Sequence, residues 1–280
     1  ERDLAIVRAP DLALPDVGRG VCGDCPMGCD EQDRCRGFQV SNIVDPRLIL
    51  RGSGGLVVNG ELVLDTTTAE LRGSQGLAPG VGFYSADGGR VVVLYASRLH
   101  IVPGATLRVV GKRPLQVLLS DEALIEGTLD LSAKGRTPGA GGGAGGERRK
   151  DGEVGLGSTC AVAYAGDAEG AWDATGGSGG SFAGRGGDGG KGGPRGRNAC
   201  APKAIVPLVG GTGGGGGARI GGAGGGGGGA LQISAWRRIV VAAGGVINAG
   251  GGGGGGGGAV LTEAPGSGGG GGSGGAILLE

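Results

Sequence analysis

The chain has 280 residues, 76 of them glycine, and balances 26 Lys and Arg against 26 Asp and Glu, so its formal charge is zero. With no run of five like charges and aromatics at only 3%, it lacks the electrostatic footprint and the stacking platforms of a nucleic-acid binder. No apolar run approaches the ~18 residues that would span a bilayer, so no membrane insertion by this segment is expected.

Residues 1–47 read as a small Cys-rich N-terminal cap. Cys22, Cys25, Cys29 and Cys35 cluster in CGDCPMGCDEQDRC, and Cys160 and Cys200 bracket a glycine-rich stretch further on. An even count with a local cluster suits two disulfides near the N-terminus and a third that closes a long loop. The rival reading is a zinc site, since Cys22-x2-Cys25 has ligand spacing, but Cys29-x5-Cys35 does not supply the second CxxC. Disulfides imply an oxidising, extracellular setting. The first residue is Glu1 rather than Met, as in a processed product.

From residue 48 to 135 the apolar pulses are regular. They share the phrase apolar-x-apolar, a Gly within a residue or two, then apolar-x-apolar, which is strand, turn, strand. Leu56 to Leu64, Leu99 to Leu107 and Ala123 to Leu131 are three instances, the second and third 24 residues apart, and Ile239 to Ala249 is a fourth. A unit of this kind cannot bury its apolar side alone and must stack on its neighbours.

Residues 136–229 form a glycine-rich insertion, closed by the Cys160 to Cys200 pair. In residues 230–280 the strand phrases return, interleaved with glycine runs. Leu115-Gln116-Val117 is echoed by Leu231-Gln232-Ile233, and the stretch from Ala230 is echoed 46 residues later from Ala276. That last echo stops after one strand, so either the final coil is incomplete or the natural chain is expected to continue past Glu280.

Two readings fit the glycine runs. A flexible linker is one, because Gly loses the most backbone entropy on ordering. The other is an array of extended threefold helices, free of side chains and bonded to one another through N–H and C=O. Linkers mix Ser with Gly and join domains, whereas these runs contain little Ser and lie between strands that should stack. The expected fold class is therefore all-β: a parallel β-helix-like solenoid with polyglycine II helices packed as a bundle and a disulfide-rich cap.

Chemical motifs are few. GxGxxG recurs by composition alone and never between a strand and a helix. A P-loop around Lys191 fails twice, at Arg185 and at Gly192, and the calcium nonapeptide needs Asp where Lys191 stands. The one histidine, His100, alternates with Leu99 and Ile101 and so faces outward, which leaves no Ser-His-Asp or His-based metal option. No catalytic residue, metal or cofactor is assigned. Asp121, Glu122, Glu126 and Asp130 keep open an alternative, a β-helix enzyme that cleaves polysaccharide as a lyase or hydrolase. Trp172, Trp236, Arg237 and Arg238 stand out as binding candidates, and Tyr164 is a further notable aromatic in a chain with so few. Trp236-Arg237-Arg238 marks a strand corner where a ring beside guanidinium groups could meet a sugar. A fainter option, ice binding, would need ladders of Thr, and Thr66-Thr67-Thr68 is a single cluster.

The pattern ALQISAWRRIVVAAGGVINAGG, a long glycine run and then GGAILLE resembles glycine-rich secreted or surface proteins of bacteria, notably of myxobacteria. Its glycine logic is also similar to that of phage tail-fibre adhesins built on packed polyglycine helices. The resemblance covers the glycine-rich part and does not reach the cysteine cluster. It implies an extracellular, non-enzymatic structural or adhesive protein, with a surface polysaccharide or another surface protein as partner.

Overall fold

The computed structural model describes residues 40–42, 51–73, 77–167, 174–258 and 265–280. The strands are β1 (Gly55–Val58), β2 (Glu61–Asp65), β3 (Glu70–Gly73), β4 (Gly82–Ala86), β5 (Val91–Ala96), β6 (Arg98–Ile101) and β7 (Thr106–Val110). They continue with β8 (Leu115–Leu119), β9 (Glu122–Ile125), β10 (Thr128–Asp130), β11 (Ala230–Ala235), β12 (Arg238–Val241), β13 (Val246–Asn248) and β14 (Ala276–Leu279). Asp87–Gly89 forms a short helical turn between β4 and β5.

The strands form three sheets, β1-β6-β9-β12, β13-β10-β7-β2-β3 and β14-β11-β8-β5-β4. From β5 onward successive strands enter different sheets, so β8, β9 and β10 lie beside β5, β6 and β7 in parallel register. Inward positions line up across the register. Leu56, Leu99, Ala123 and Ile239 form one row, Val92, Leu115, Leu231 and Ile277 another. Leu62, Leu107 and Leu129 are fully buried in the same core, each worth about 1.5–3 kcal/mol of burial. The rows emerge into solvent at their last members, with Val241, Ile277 and Leu279 exposed.

Gly explains the corners in two ways. At Pro103-Gly104, Gly104 adopts φ +76 and the turn closes through the Ala105 N–H to the Val102 carbonyl, as a proline-led turn with a left-handed third residue requires. At the shorter corner between β9 and β10, a Cβ on Gly127 would lie 2.4 Å from the Ala105 carbonyl oxygen.

The topology corrects the expected fold class. Two of the three open sheets are of mixed sense, so the fold is not an all-parallel solenoid: β2 pairs with β3, and β4 with β5, antiparallel. The physical reason lies at Thr66-Thr67-Thr68. The Asp65 carboxylate accepts from the Thr67 N–H, Ala69 takes φ +58, and the chain folds straight back as β3. A tight turn can join only antiparallel neighbours, and such a hairpin pairs a sheet edge that a parallel stack would leave bare. The cap, with Cys22, Cys25, Cys29 and Cys35, lies outside the described residues.

The glycine runs are ordered. Segment 211–217 donates from Gly211, Gly214 and Gly217 to Gly228, Gly225 and Gly222, one bond every third residue. The same three-residue step links Gly222, Gly225 and Gly228 to Ser267, Gly270 and Ser273, and Gly143, Gly146 and Arg149 to Gly211, Gly214 and Gly217. Neighbours approach so closely that a Cβ on Gly145 would lie 2.0 Å from the Gly224 carbonyl oxygen. The array crosses residue 229, joining the insertion to segments 249–258 and 266–275. A disulfide between Cys160 and Cys200 ties its outer part together.

Candidate binding surface

The corner between the third and first sheets repeats from strand to strand. Asp121 N–H donates to the Ser97 carbonyl and Arg237 N–H to the Asp121 carbonyl, so the corners of three levels sit in line. Their side chains then alternate in charge. Arg98 reaches Asp121 at 3.3 Å and Glu122 at 3.2 Å. On the other side, Arg237 meets Asp121 at 3.3 Å, and Arg238 meets Glu122 at 2.6 Å. Two carboxylates are thus held among three guanidinium groups, and the arrangement carries one net positive charge. Glu122 is nearly buried, whereas Arg237 and Arg238 are 66% and 60% exposed. Pairs this exposed contribute only about 0.2–1 kcal/mol each. Their outward faces are available to an anionic or hydroxylated partner.

Trp236 is half-buried at the same corner and packs with Ala86, Val93 and Leu118 on the outer side of the third sheet. The structure therefore brings together Trp236, Arg237 and Arg238 and assigns the ring a packing role as well. Trp172 lies outside the described residues. Tyr164 is elsewhere, in the glycine array, with the Arg197 guanidinium carbon 4.0 Å from its ring centroid.

Glu126 and Asp130 also have side-chain partners. Glu126 lies 2.8 Å from His100 Nε2, and Asp130 pairs with Arg108. Burial pushes the Asp130 carboxyl up, but hydrogen bonds from the Ser132 hydroxyl and N–H, and from Arg108 with its charge, outweigh it and hold Asp130 below the usual carboxylate range. Burial lowers the Arg113 guanidinium, which Asp65 partly offsets. Among the described residues, no group of three or more His, Cys, Asp or Glu is gathered as metal ligands would be. Nor is any helix long and apolar enough to cross a membrane.

A polar seam behind the third sheet was not anticipated. Gln116 and Gln232 are fully buried neighbours in register on β8 and β11. Asn42 donates to the Gln232 side chain and to the Ile205 carbonyl, Gln116 donates to the Asn42 carbonyl, and Gln232 donates to Ser234 and Glu280. A pocket of about 260 Å³ opens over it, between Asn42, Arg90 and Leu208. The signal was present in the echo of Leu115-Gln116-Val117 by Leu231-Gln232-Ile233, where an amide recurs at the same outward position.

Compared with family models, with curated proteins and with solved structures, the chain gives no match.

Proposed function

We propose that the chain is an extracellular, non-enzymatic structural or adhesive element whose glycine array acts as a rigid scaffold. One observation carries this reading: the glycine segments bond to one another at every third residue, in several directions at once. A chain that spends so many residues on side-chain-free close packing gains stiffness and shape rather than chemistry. The Cys160 to Cys200 disulfide supports an oxidising location. The Trp236 corner, with its outward guanidinium groups, supports contact with a surface polysaccharide. Against the polysaccharide-cleaving alternative stands the pairing of Asp121, Glu122, Glu126 and Asp130 with Arg or His, which occupies the groups a general acid and base would need.

Amide exchange tests the scaffold. The N–H groups of Gly214, Gly225 and Gly270 are expected to be strongly protected in the intact protein. Exchange at the rate of an unstructured peptide would refute the reading.

A further inference from the structure

We propose that a groove on the glycine array is a binding site for an extended, glycine-rich polypeptide segment of a partner protein, a site that rests on the scaffold reading. The groove runs between segments 187–191 and 267–272, over a floor formed by segment 176–180, and has a volume of about 620 Å³.

Its walls are incomplete in a patterned way. Along segment 267–275, the N–H groups of Gly269, Gly272 and Gly275 bond to Gly255, Gly252 and Ala249, and those of Gly270 and Ser273 bond to Gly215 and Thr212. In a threefold extended chain, successive residues point about 120° apart, so the set Gly268 and Gly271 forms a third direction. These two N–H groups have no hydrogen-bond partner among the described residues, and both residues line the groove. The opposite wall repeats the pattern, since the Gly187 and Gly190 N–H groups also lack partners there. In each wall the free donors are three residues apart, a rise of about 9 Å in this conformation.

That spacing specifies the occupant. A strand with the same threefold rise presents a carbonyl to one wall at every third residue, as the neighbouring segments do to one another. The side of the strand that faces the floor has no room for a Cβ, because floor and walls are themselves in glycine contact. A Cβ on floor residue Gly176, for instance, would already reach both walls, 2.8 Å from the Gly190 nitrogen and 3.3 Å from the Gly268 carbonyl oxygen. The occupant therefore needs glycine at no fewer than every third position, with other residues allowed on its solvent side. Lys191 at the mouth offers a positive charge to those residues, whereas Asp188 is paired with Arg185.

The test uses the full chain and a soluble probe, a decaglycine peptide with a lysine at each end. A same-length comparator carries valine at every second position, so that no register leaves every third position free. Saturable binding of the decaglycine is expected, with the N–H groups of Gly268 and Gly271 slowed roughly tenfold in exchange at about ten times the half-saturating concentration. The double variant Gly268→Leu with Gly271→Leu should abolish binding, since a Cβ at either position meets nothing closer than 3.7 Å and its side chain extends from the groove wall. Gly253→Leu, away from the groove, should leave binding intact. If loss of protection at Gly225 shows that the double variant has misfolded, Gly187→Leu with Gly190→Leu replaces it, both Cβ positions being open. Absence of saturable binding, equal binding of the valine peptide, or unchanged exchange at Gly268 and Gly271 would overturn the proposal while leaving the scaffold intact. Loss of protection at Gly225 in the free wild-type protein would instead overturn the scaffold and the groove together.

Discussion

Gly225→Ala is the sharpest perturbation of the array. A Cβ there would lie 2.0 Å from the Gly252 carbonyl oxygen and 2.5 Å from its carbon, both main-chain atoms that cannot swing aside. Relief to even a tight contact of 3.0 Å requires segment 249–258 to withdraw by about 1 Å. The bonds from Gly252 to Gly226 and from Gly255 to Ala223 are 2.7 Å long, so the same withdrawal stretches both beyond hydrogen-bond range. Losing the bond from buried Gly252 costs about 1–3 kcal/mol and losing the one from exposed Gly255 about 0.5–1.5 kcal/mol, while the stiffer unfolded chain of the Ala variant offsets about 0.4–1 kcal/mol. The net expectation is a loss of about 0.5–4 kcal/mol. Gly253→Ala is the internal control, since its Cβ would meet nothing within 4 Å and its φ is not left-handed. That change should be neutral or stabilising by up to about 1 kcal/mol. Urea unfolding midpoints of both variants and the wild type, read at the same pH, decide the matter. Equal midpoints for Gly225→Ala and Gly253→Ala would refute the close-packed array.

Four further outcomes follow from individual contacts. Reduction of the Cys160 to Cys200 disulfide, which spans 40 residues of sequence, should destabilise the array by about 2–4 kcal/mol and raise amide exchange around Gly177 and Gly180. Trp236→Ala should cost about 3–5 kcal/mol less the share owed to its partial exposure, through lost packing on Val93 and Leu118, as measured by thermal unfolding. Arg237→Ser with Arg238→Ser should change stability by no more than about 2 kcal/mol yet weaken retention on an acidic polysaccharide column, and unchanged retention would remove this corner as the contact. For Asp130 the folded pKa is depressed, so its stabilising share is present above the ordinary carboxylate value near 4 and is lost as pH falls through the lower folded value. Asp130→Asn should flatten the acid limb of stability against pH below about 4, with little change in slope near neutrality.

The strand phrases were legible because a period-2 run with a glycine corner leaves few alternatives. The four aligned phrases proved to be register neighbours: Leu56 lies beside Leu99, Leu99 beside Ala123, and Ala123 beside Ile239. The echo from Ala230 to Ala276 is likewise a pair of adjacent strands. Strand sense was not legible at the edges. Leu71 carries the same apolar signal whether β3 runs with β2 or against it, and the choice is made by the Asp65 side chain at the turn. The corner site was half legible. Trp236-Arg237-Arg238 announces itself by composition, but the acids that neutralise it, Asp121 and Glu122, are more than a hundred residues away in sequence. Gln116 and Gln232 were passed over because an outward amide in a strand ordinarily faces water, whereas here Asn42 bonds to both.

The array also makes a claim about order that the isolated runs cannot satisfy. Segment 222–229 leads directly into β11, segment 267–275 into β14, and segment 249–258 leaves β13, so each run is anchored at one end by a strand whose register is fixed by core packing. Fixing a backbone costs about 1–2 kcal/mol per residue, against about 0.5–1.5 kcal/mol for each hydrogen bond. One neighbour supplies one bond every third residue, which falls well short. An inner residue such as Gly225 donates to Gly270, accepts from Gly214 and lies in close contact with Gly252, so three neighbours share the cost. A synthetic peptide of residues 211–229 keeps the single pairing of its two arms and loses every other neighbour. It is expected to be disordered in water, with amide exchange at the random-coil rate, while the same residues in the full chain remain protected. A peptide that held its own three-residue bonding pattern would show that the glycine segments order without the sheets, and would refute the dependence argued from the anchors.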